Sequence, residues 1–164
     1  MTAQDIVPYA QIGTALMATA ALGVATWSLS AQKAVARRRA AIDFFLKTEM
    51  DEKMLVAYNT YVASKAKIPL APDMPEFCRT PDYDHVRAYL NILELMAVGV
   101  HNKTFDERIC YGFWGDFVEG AVRDCRPLLD YLRTLPSGGF SYEDLVRLDK
   151  RWTSAKRFWQ RWRR

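Results

Sequence analysis

The residues best suited to chemistry lie inside an apolar run. Glu94 sits within Leu90-Asn91-Ile92-Leu93-Glu94-Leu95-Met96. At helical spacing Arg87, Asn91, Glu94 and His101 fall on one face. A carboxylate in such surroundings is partly buried and needs a partner. It can serve as a general acid or base, or bind a ligand, because burial shifts its proton affinity. It can equally fix the pairing of two helices through hydrogen bonds, with Arg123 or Arg126 as the expected cation. No nucleophile or metal-binding group accompanies Glu94, and a lone carboxylate is weak evidence of catalysis. The expectation is a structural polar stripe of Arg87, Asn91 and Glu94 with Trp114, and no catalytic residue. The runner-up is an enzyme, a hydrolase using Glu94 with His101 or Asp116.

Other reactive side chains are scattered. Cys78, Cys110 and Cys125 form no CxxC pair, and only His85 and His101 could join them as ligands. That spacing resembles no zinc site, so neither a metal nor a cofactor is expected. The segment Tyr111-Gly112-Phe113-Trp114-Gly115-Asp116-Phe117 carries no phosphate loop or nucleophile elbow. Its glycines cost a helix about 1 kcal/mol each relative to alanine. Close approach of a neighbouring helix, with Trp114 filling the space beside it, is the expected return.

The elements that position these groups all read as helices. Thr48 with Asp51 resembles a capping pair opening a helix that reaches about Lys67. Four prolines between Ile68 and Pro81 forbid a continuous helix there. The apolar Leu70, Met74 and Phe77 favour an ordered arm over a free linker. Thr80-Pro81 caps a helix running to about His101. Thr104 and Glu107 form a capping-box signature. The helix after it aligns Cys110, Trp114, Phe117, Ala121, Cys125, Leu128 and Leu132 in one core-facing stripe, which Pro127 should kink or split. Ser141 with Asp144 is expected to cap the last helix.

Charge divides the chain sharply. From Ile6 to Gln32 there is no charged residue, and Lys33, Arg37, Arg38 and Arg39 follow at once. As a helix this stretch is about 40 Å long, against about 30 Å for a bilayer's hydrocarbon core. Residues 6–32 therefore read as a transmembrane anchor. A buried soluble helix and a signal peptide are the alternatives. A signal peptide would need basic residues before the apolar run, and here they follow it. By the positive-inside rule residues 1–5 are external and everything after Lys33 is cytoplasmic, hence reducing, so the cysteines should be free thiols. Within the anchor, Ala15, Thr19 and Gly23 repeat every fourth position, a face that lets helices approach closely in lipid. The remaining residues, 33–141 and 142–164, make one domain by length with a basic amphipathic helix at its end.

Residues 40–141 hold 11 Lys/Arg against 15 Asp/Glu, while residues 142–164 hold 8 against 3. In this last segment Leu145, Leu148, Trp152, Ala155, Trp159 and Trp162 share a face, and Arg157 and Arg161 lie among the surrounding cations. Tryptophan suits the lipid interface, and each nearby cation contributes about 1 kcal/mol at an anionic surface. Trp152, Trp159, Trp162, Arg157 and Arg161, together with Lys33, Arg37, Arg38 and Arg39, are therefore expected at the membrane. Docking of the same stripe on the acidic body is the close alternative. Nucleic acid, which Arg and Trp also suit, is the weaker third reading.

Arg37-Arg38-Arg39 with Ile42-Asp43-Phe44, the run Leu90–Val100, Asp106-Glu107 and Phe113-Trp114-Gly115 together resemble the bacterial family called domain of unknown function 4760. The resemblance covers about residues 35–135, with the Asn91/Glu94 helix and Trp114-Gly115 as its specific parts. It implies a small helical protein of bacteria or their phages, often membrane-anchored, with no established activity and no catalytic residues to carry over. The combined expectation is an all-α protein. An N-terminal transmembrane helix extends into a small cytoplasmic bundle at the bacterial inner membrane. Its expected partners are the bilayer and anionic headgroups, and an unknown protein or a second copy through Ala15, Thr19 and Gly23. A membrane-perturbing oligomeric effector is a further alternative.

Overall fold

A computed structural model describes residues 3–69, 73–136 and 141–162, with side chains described for 14–69, 73–136 and 141–155. Every regular element among them is helical: α1 (Ala3–Met50), α2 (Glu52–Ser64), a 3₁₀ turn (Lys65–Lys67), α3 (Met74–Phe77), α4 (Pro81–His101), α5 (Glu107–Asp124), α6 (Arg126–Thr134) and α7 (Glu143–Trp162). The chain divides into two compact units, Met1–Arg37 and Arg38–Arg164.

In the first unit the described apolar side chains are open to the surroundings. Leu16, Met17 and Trp27 are 67%, 75% and 74% exposed. By length and composition α1 could span a membrane, and none of its apolar window is buried. Length and composition are the grounds on which this helix could cross a membrane.

The second unit is built around α4, which packs on α2, α5 and α7. Val86, Leu90, Leu93, Met96 and Ala97 of α4 are fully buried. They meet Cys110 and Val118 of α5, Leu128 and Leu129 of α6, and Leu145 and Leu148 of α7 in one cluster. Each large aliphatic side chain in it contributes about 1.5–3 kcal/mol. Met74 and Phe77 are buried in the same core, as an ordered arm requires; Leu70 lies outside the described residues.

Local capping matches expectation at one helix and departs from it at two. Thr80 accepts a hydrogen bond from the Tyr83 N–H, with Pro81 in the first turn of α4. At the start of α2, however, Asp51 is the cap and accepts from the Lys53 N–H at 2.9 Å. Thr48 instead donates back to the Phe45 carbonyl within α1. At α5 the cap is Asp106, which accepts from the Arg108 and Ile109 N–H groups, rather than Thr104. In both cases a carboxylate two or three residues later is an equally good cap and adds charge at the positive end of the helix. Pro127 does split the following stretch, with α5 ending at Asp124 and α6 beginning at Arg126.

Two further expectations are corrected. Phe117 is 44% exposed, and Val118 takes its place in the core. The α5 face is therefore rotated by about one residue midway along. Gly112 has open space where a Cβ would stand, and Gly115 meets only the Tyr111 ring of its own helix. No neighbouring helix stands close to Gly112. The close approach occurs at Gly99, where a Cβ would overlap the Phe105 ring. The Gly99 carbonyl accepts from the N–H groups of Thr104 and Phe105 at 2.9 and 3.0 Å, folding the α4–α5 turn onto it. Phe105 in turn stacks on Phe44, at 5.1 Å between ring centroids.

Polar clamps tie α2 to its neighbours. Buried Ser64 donates to Asp82 at 2.8 Å, and Lys67 pairs with the same carboxylate at 2.9 Å. Lys65 reaches Asp124 at 2.6 Å and lies over the Tyr61 ring. The Lys65 hydrogen bond is the largest influence holding the Asp124 carboxyl below its usual range, against the upward push of burial. A depressed native pKa means that the unfolded chain binds the proton more readily. The stabilisation is therefore present above about pH 4 and is lost as pH falls through the native value.

Two expected outcomes follow from this packing. Gly99→Ala should destabilise by about 1–3 kcal/mol through overpacking, whereas Gly112→Ala should stabilise by about 0.5–1 kcal/mol. Thermal melting of the detergent-solubilised protein checks both. Asp124→Asn should lower the melting temperature at neutral pH, and the difference from wild type should shrink on acidification below about pH 4. A difference that grew with acid would contradict the assigned ion pair.

Candidate functional site

The stripe on α4 meets the amino terminus of α7. Tyr142, just before that helix, adopts the left-handed region at φ 58°, a conformation costing a non-glycine residue about 1–2 kcal/mol. Its hydroxyl donates to Asn91 Oδ1 at 2.9 Å, which holds the residue in place. The chain then enters α7 with its first N–H groups directed at Glu94. Leu145 donates to Oε2 at 2.7 Å and Asp144 to Oε1 at 3.3 Å. A helix start lacks partners for its first N–H groups. Here the acceptor comes from a residue 50 positions earlier in the chain rather than from a local Ser or Thr.

Electrostatics at this seam oppose one another. Burial is the largest influence on Glu94 and raises its carboxyl above the usual range. The two backbone hydrogen bonds lower it, with the Leu145 contribution the greater. The Asp144 carboxylate raises it again, and His101 lowers it. Asp144 is shared further: Oδ1 lies 2.6 Å from His101 Nδ1 and 3.6 Å from Arg147, which also pairs with Glu143. Arg87 is exposed on the same helix and pulls the Tyr142 hydroxyl down, against the burial that sends it up to about 12.

These contacts decide what the cluster can do. Each oxygen of Glu94 accepts one N–H of the α7 backbone, which fixes the carboxylate in the helix seam. His101 is 14% exposed and its Nε2 is buried without a partner. Among the described residues the outer nitrogen of this His–Asp pair is therefore closed to solvent. Asp116 lies on α5 beside a hollow of about 10 Å³ lined also by Glu119, Asp149 and Trp152, room for one water. The expected cation partners of Glu94 are engaged elsewhere, Arg123 with Asp124 and Arg126 with Asp130. A helix terminus replaces them because its aligned N–H groups present positive charge to the carboxylate.

Trp114 does not join the stripe. It is buried on α5 among aromatic rings of α1, 5.2 Å from Phe44 and 5.8 Å from Phe45, with Phe45 also stacked on Phe113 at 3.8 Å. Trp152, expected at a lipid surface, is corrected to a core residue. It is 6% exposed, packs edge-on against Tyr111 at 5.2 Å, and donates its ring N–H to Glu107 at 2.9 Å. Arg151 pairs with the same carboxylate. Burial against α5 satisfies both the ring and its N–H, leaving Trp152 nothing to offer lipid. The side chains of Arg157, Trp159, Arg161 and Trp162 lie outside the described residues. Of the basic cluster, Arg38 lies 3.5 Å from Asp106 and Arg39 lies 3.9 Å from Asp43, and Arg38 and Arg39 are both largely exposed. The pair between Arg38 and Asp106 bridges α1 to the α5 cap. Thr19 donates to the Ala15 carbonyl, and nothing lies within 4 Å of a Cβ at Gly23.

The cysteines are free, and burial sends the Cys110 and Cys125 thiols up to about 12, which leaves them unreactive at neutral pH. Burial raises Cys78 as well. Among the described residues no group of three or more His, Cys, Asp or Glu side chains is arranged to hold a metal ion.

The architecture is thus an all-α chain with a long apolar N-terminal helix, whose conspicuous polar cluster takes part in helix pairing. The chain belongs to the family described as domain of unknown function (DUF4760), whose model matches residues 15–152. That match takes in most of the apolar helix and the first half of α7, beyond the segment about 35–135 that carries the resemblance in sequence. No curated protein and no solved structure matches.

Replacing Glu94 by Leu leaves two N–H groups at the α7 start without an acceptor and should cost about 1–3 kcal/mol. Glu94→Gln keeps one acceptor oxygen and should cost less. Because burial raises the native pKa of Glu94, this group favours the folded state at low pH, and that contribution is lost as pH rises through the native value. Glu94→Gln should therefore flatten a decline in stability that begins above about pH 4. Chemical denaturation across pH checks the sign; an unchanged slope would refute the assignment.

Proposed function

We propose that this chain is a single-pass membrane protein whose helical body acts as a binding and assembly module on the cytoplasmic face of a bacterial inner membrane. The observation that carries the reading is the uncharged run from Ile6 to Gln32, ended by Lys33, Arg37, Arg38 and Arg39. Its Leu, Met, Val and Trp side chains are exposed from residue 14 onward. Leaving that much apolar surface in water forfeits about 25 cal/mol per Å², whereas a bilayer accepts it without cost. The cations after it favour the side of the membrane that retains positive charge.

A binding role is supported by what the body does with its polar groups. Glu94, His101 and Asp144 are spent on holding helices together. Exposed Leu46, Met50, Val56, Val62, Leu95 and Phe113 meanwhile remain on its surface. Apolar surface of this kind suits association with a partner or a second copy. Ala15, Thr19 and Gly23 supply a small-residue face for assembly in the lipid phase.

Topology provides the test. Alkaline phosphatase fused at the C-terminus should be inactive, and a fluorescent protein fused at the same point should be bright. The reverse pattern would place the body outside and overturn the proposal, along with the argument for reduced cysteines.

A further inference from the structure

A cavity of about 330 Å³ opens between the end of α1, α2, α4 and α5. Its size lies at the lower end of small-molecule sites, of order 300–1,000 Å³. Four of its walls are aromatic: Tyr58, Tyr89, Trp114 and Phe117. Tyr58 stands 5.5 Å from Tyr89 and 5.9 Å from Phe117 between ring centroids, edge-on to the latter, so the rings surround the space rather than stack into it. Glu49 is the one charged residue lining it. Among the described residues no Lys or Arg pairs with that carboxylate.

Ring faces carry negative electrostatic potential, and a carboxylate adds a full negative charge beside them. Burial chiefly pushes the Tyr89 hydroxyl above its ordinary range, and the nearby Glu49 charge adds to the rise. An anion would be repelled by Glu49, and a neutral apolar ligand would gain nothing from its charge. We propose that this cavity binds a small free organic ammonium ion, with its alkyl groups against Tyr58, Tyr89, Trp114 and Phe117 and its charge toward Glu49. The site lies wholly within residues 38–164 and does not depend on where the chain is anchored.

Choline and its uncharged carbon isostere 3,3-dimethyl-1-butanol separate charge from shape. With the full chain in maltoside micelles, titration calorimetry should show choline binding at least about tenfold more tightly than the alcohol. Glu49→Gln should weaken choline at least about fivefold without moving the alcohol or the melting temperature, since Glu49 is exposed and holds no structural contact. Leu55→Trp, at the cavity wall, should abolish binding of both. Phosphocholine, which would bring a phosphate beside Glu49, should bind at least about fivefold more weakly than choline. Equal affinity for choline and the alcohol, a Glu49→Gln variant that keeps the preference, or no binding of either at about 10 mM would overturn the proposal. Phosphocholine binding as tightly as choline would assign the cavity to lipid headgroups and overturn the free-cation reading.

Discussion

Everything in the helical body depends on how α7 is started. A helix that begins in the interior exposes N–H groups that water cannot reach, and each orphaned donor costs about 1–3 kcal/mol. Glu94 answers this with two carboxylate oxygens on two successive N–H groups. The carboxylate is desolvated to do so, and the positive end of the helix offsets part of that cost. The same contact sets the register of α7 along α4. Leu145 and Leu148 enter the core in that register, Asp144 meets His101, and Trp152 reaches Glu107 one helix over. Tyr142 carries the backbone strain of the turn, and Asn91, one helical turn before Glu94, secures it.

A second constraint holds the end of α1 in the body. Phe44 and Phe45 interlock with Phe105, Phe113 and Trp114, and Ala41 is buried beside them. That cluster relies on Gly99, since the α4–α5 turn can lay Phe105 across α4 only where no side chain stands. The division between the two compact units falls within the basic run, after Arg37. From Arg38 onward α1 takes part in the body's ion pairs and core. Before it, large apolar side chains such as Leu16, Met17 and Trp27 are exposed.

The chemistry available to the protein follows from this economy. Groups that would attract attention in a catalytic search, namely Glu94, His101, Asp144 and the buried thiols, are engaged in packing or closed off from solvent. The aromatic, singly acidic cavity between α2, α4 and α5 is lined by none of these groups.

How much of this was legible in the chain depends on the range of the interaction. Periodicity and proline placement determined the helices of the body to within a few residues, because those signals act within one or two turns. The uncharged run from Ile6 likewise identified a helix able to cross a membrane without reference to any fold. Motifs already specific in sequence, Asn91/Glu94 and Trp114-Gly115, pointed to the family. Decisions between chemically equal neighbours were beyond it: Asp51 over Thr48 and Asp106 over Thr104 as caps, or Val118 over Phe117 in the core. These depend on which atom is nearest once the backbone has settled. The partner of Glu94 was hidden for a further reason. A helix terminus has no residue type, and only the tertiary structure, by carrying the start of α7 across α4, created the positive charge that the carboxylate meets. The same holds for Trp152, whose amphipathic spacing suits lipid and protein alike until Glu107 and Tyr111 stand opposite it.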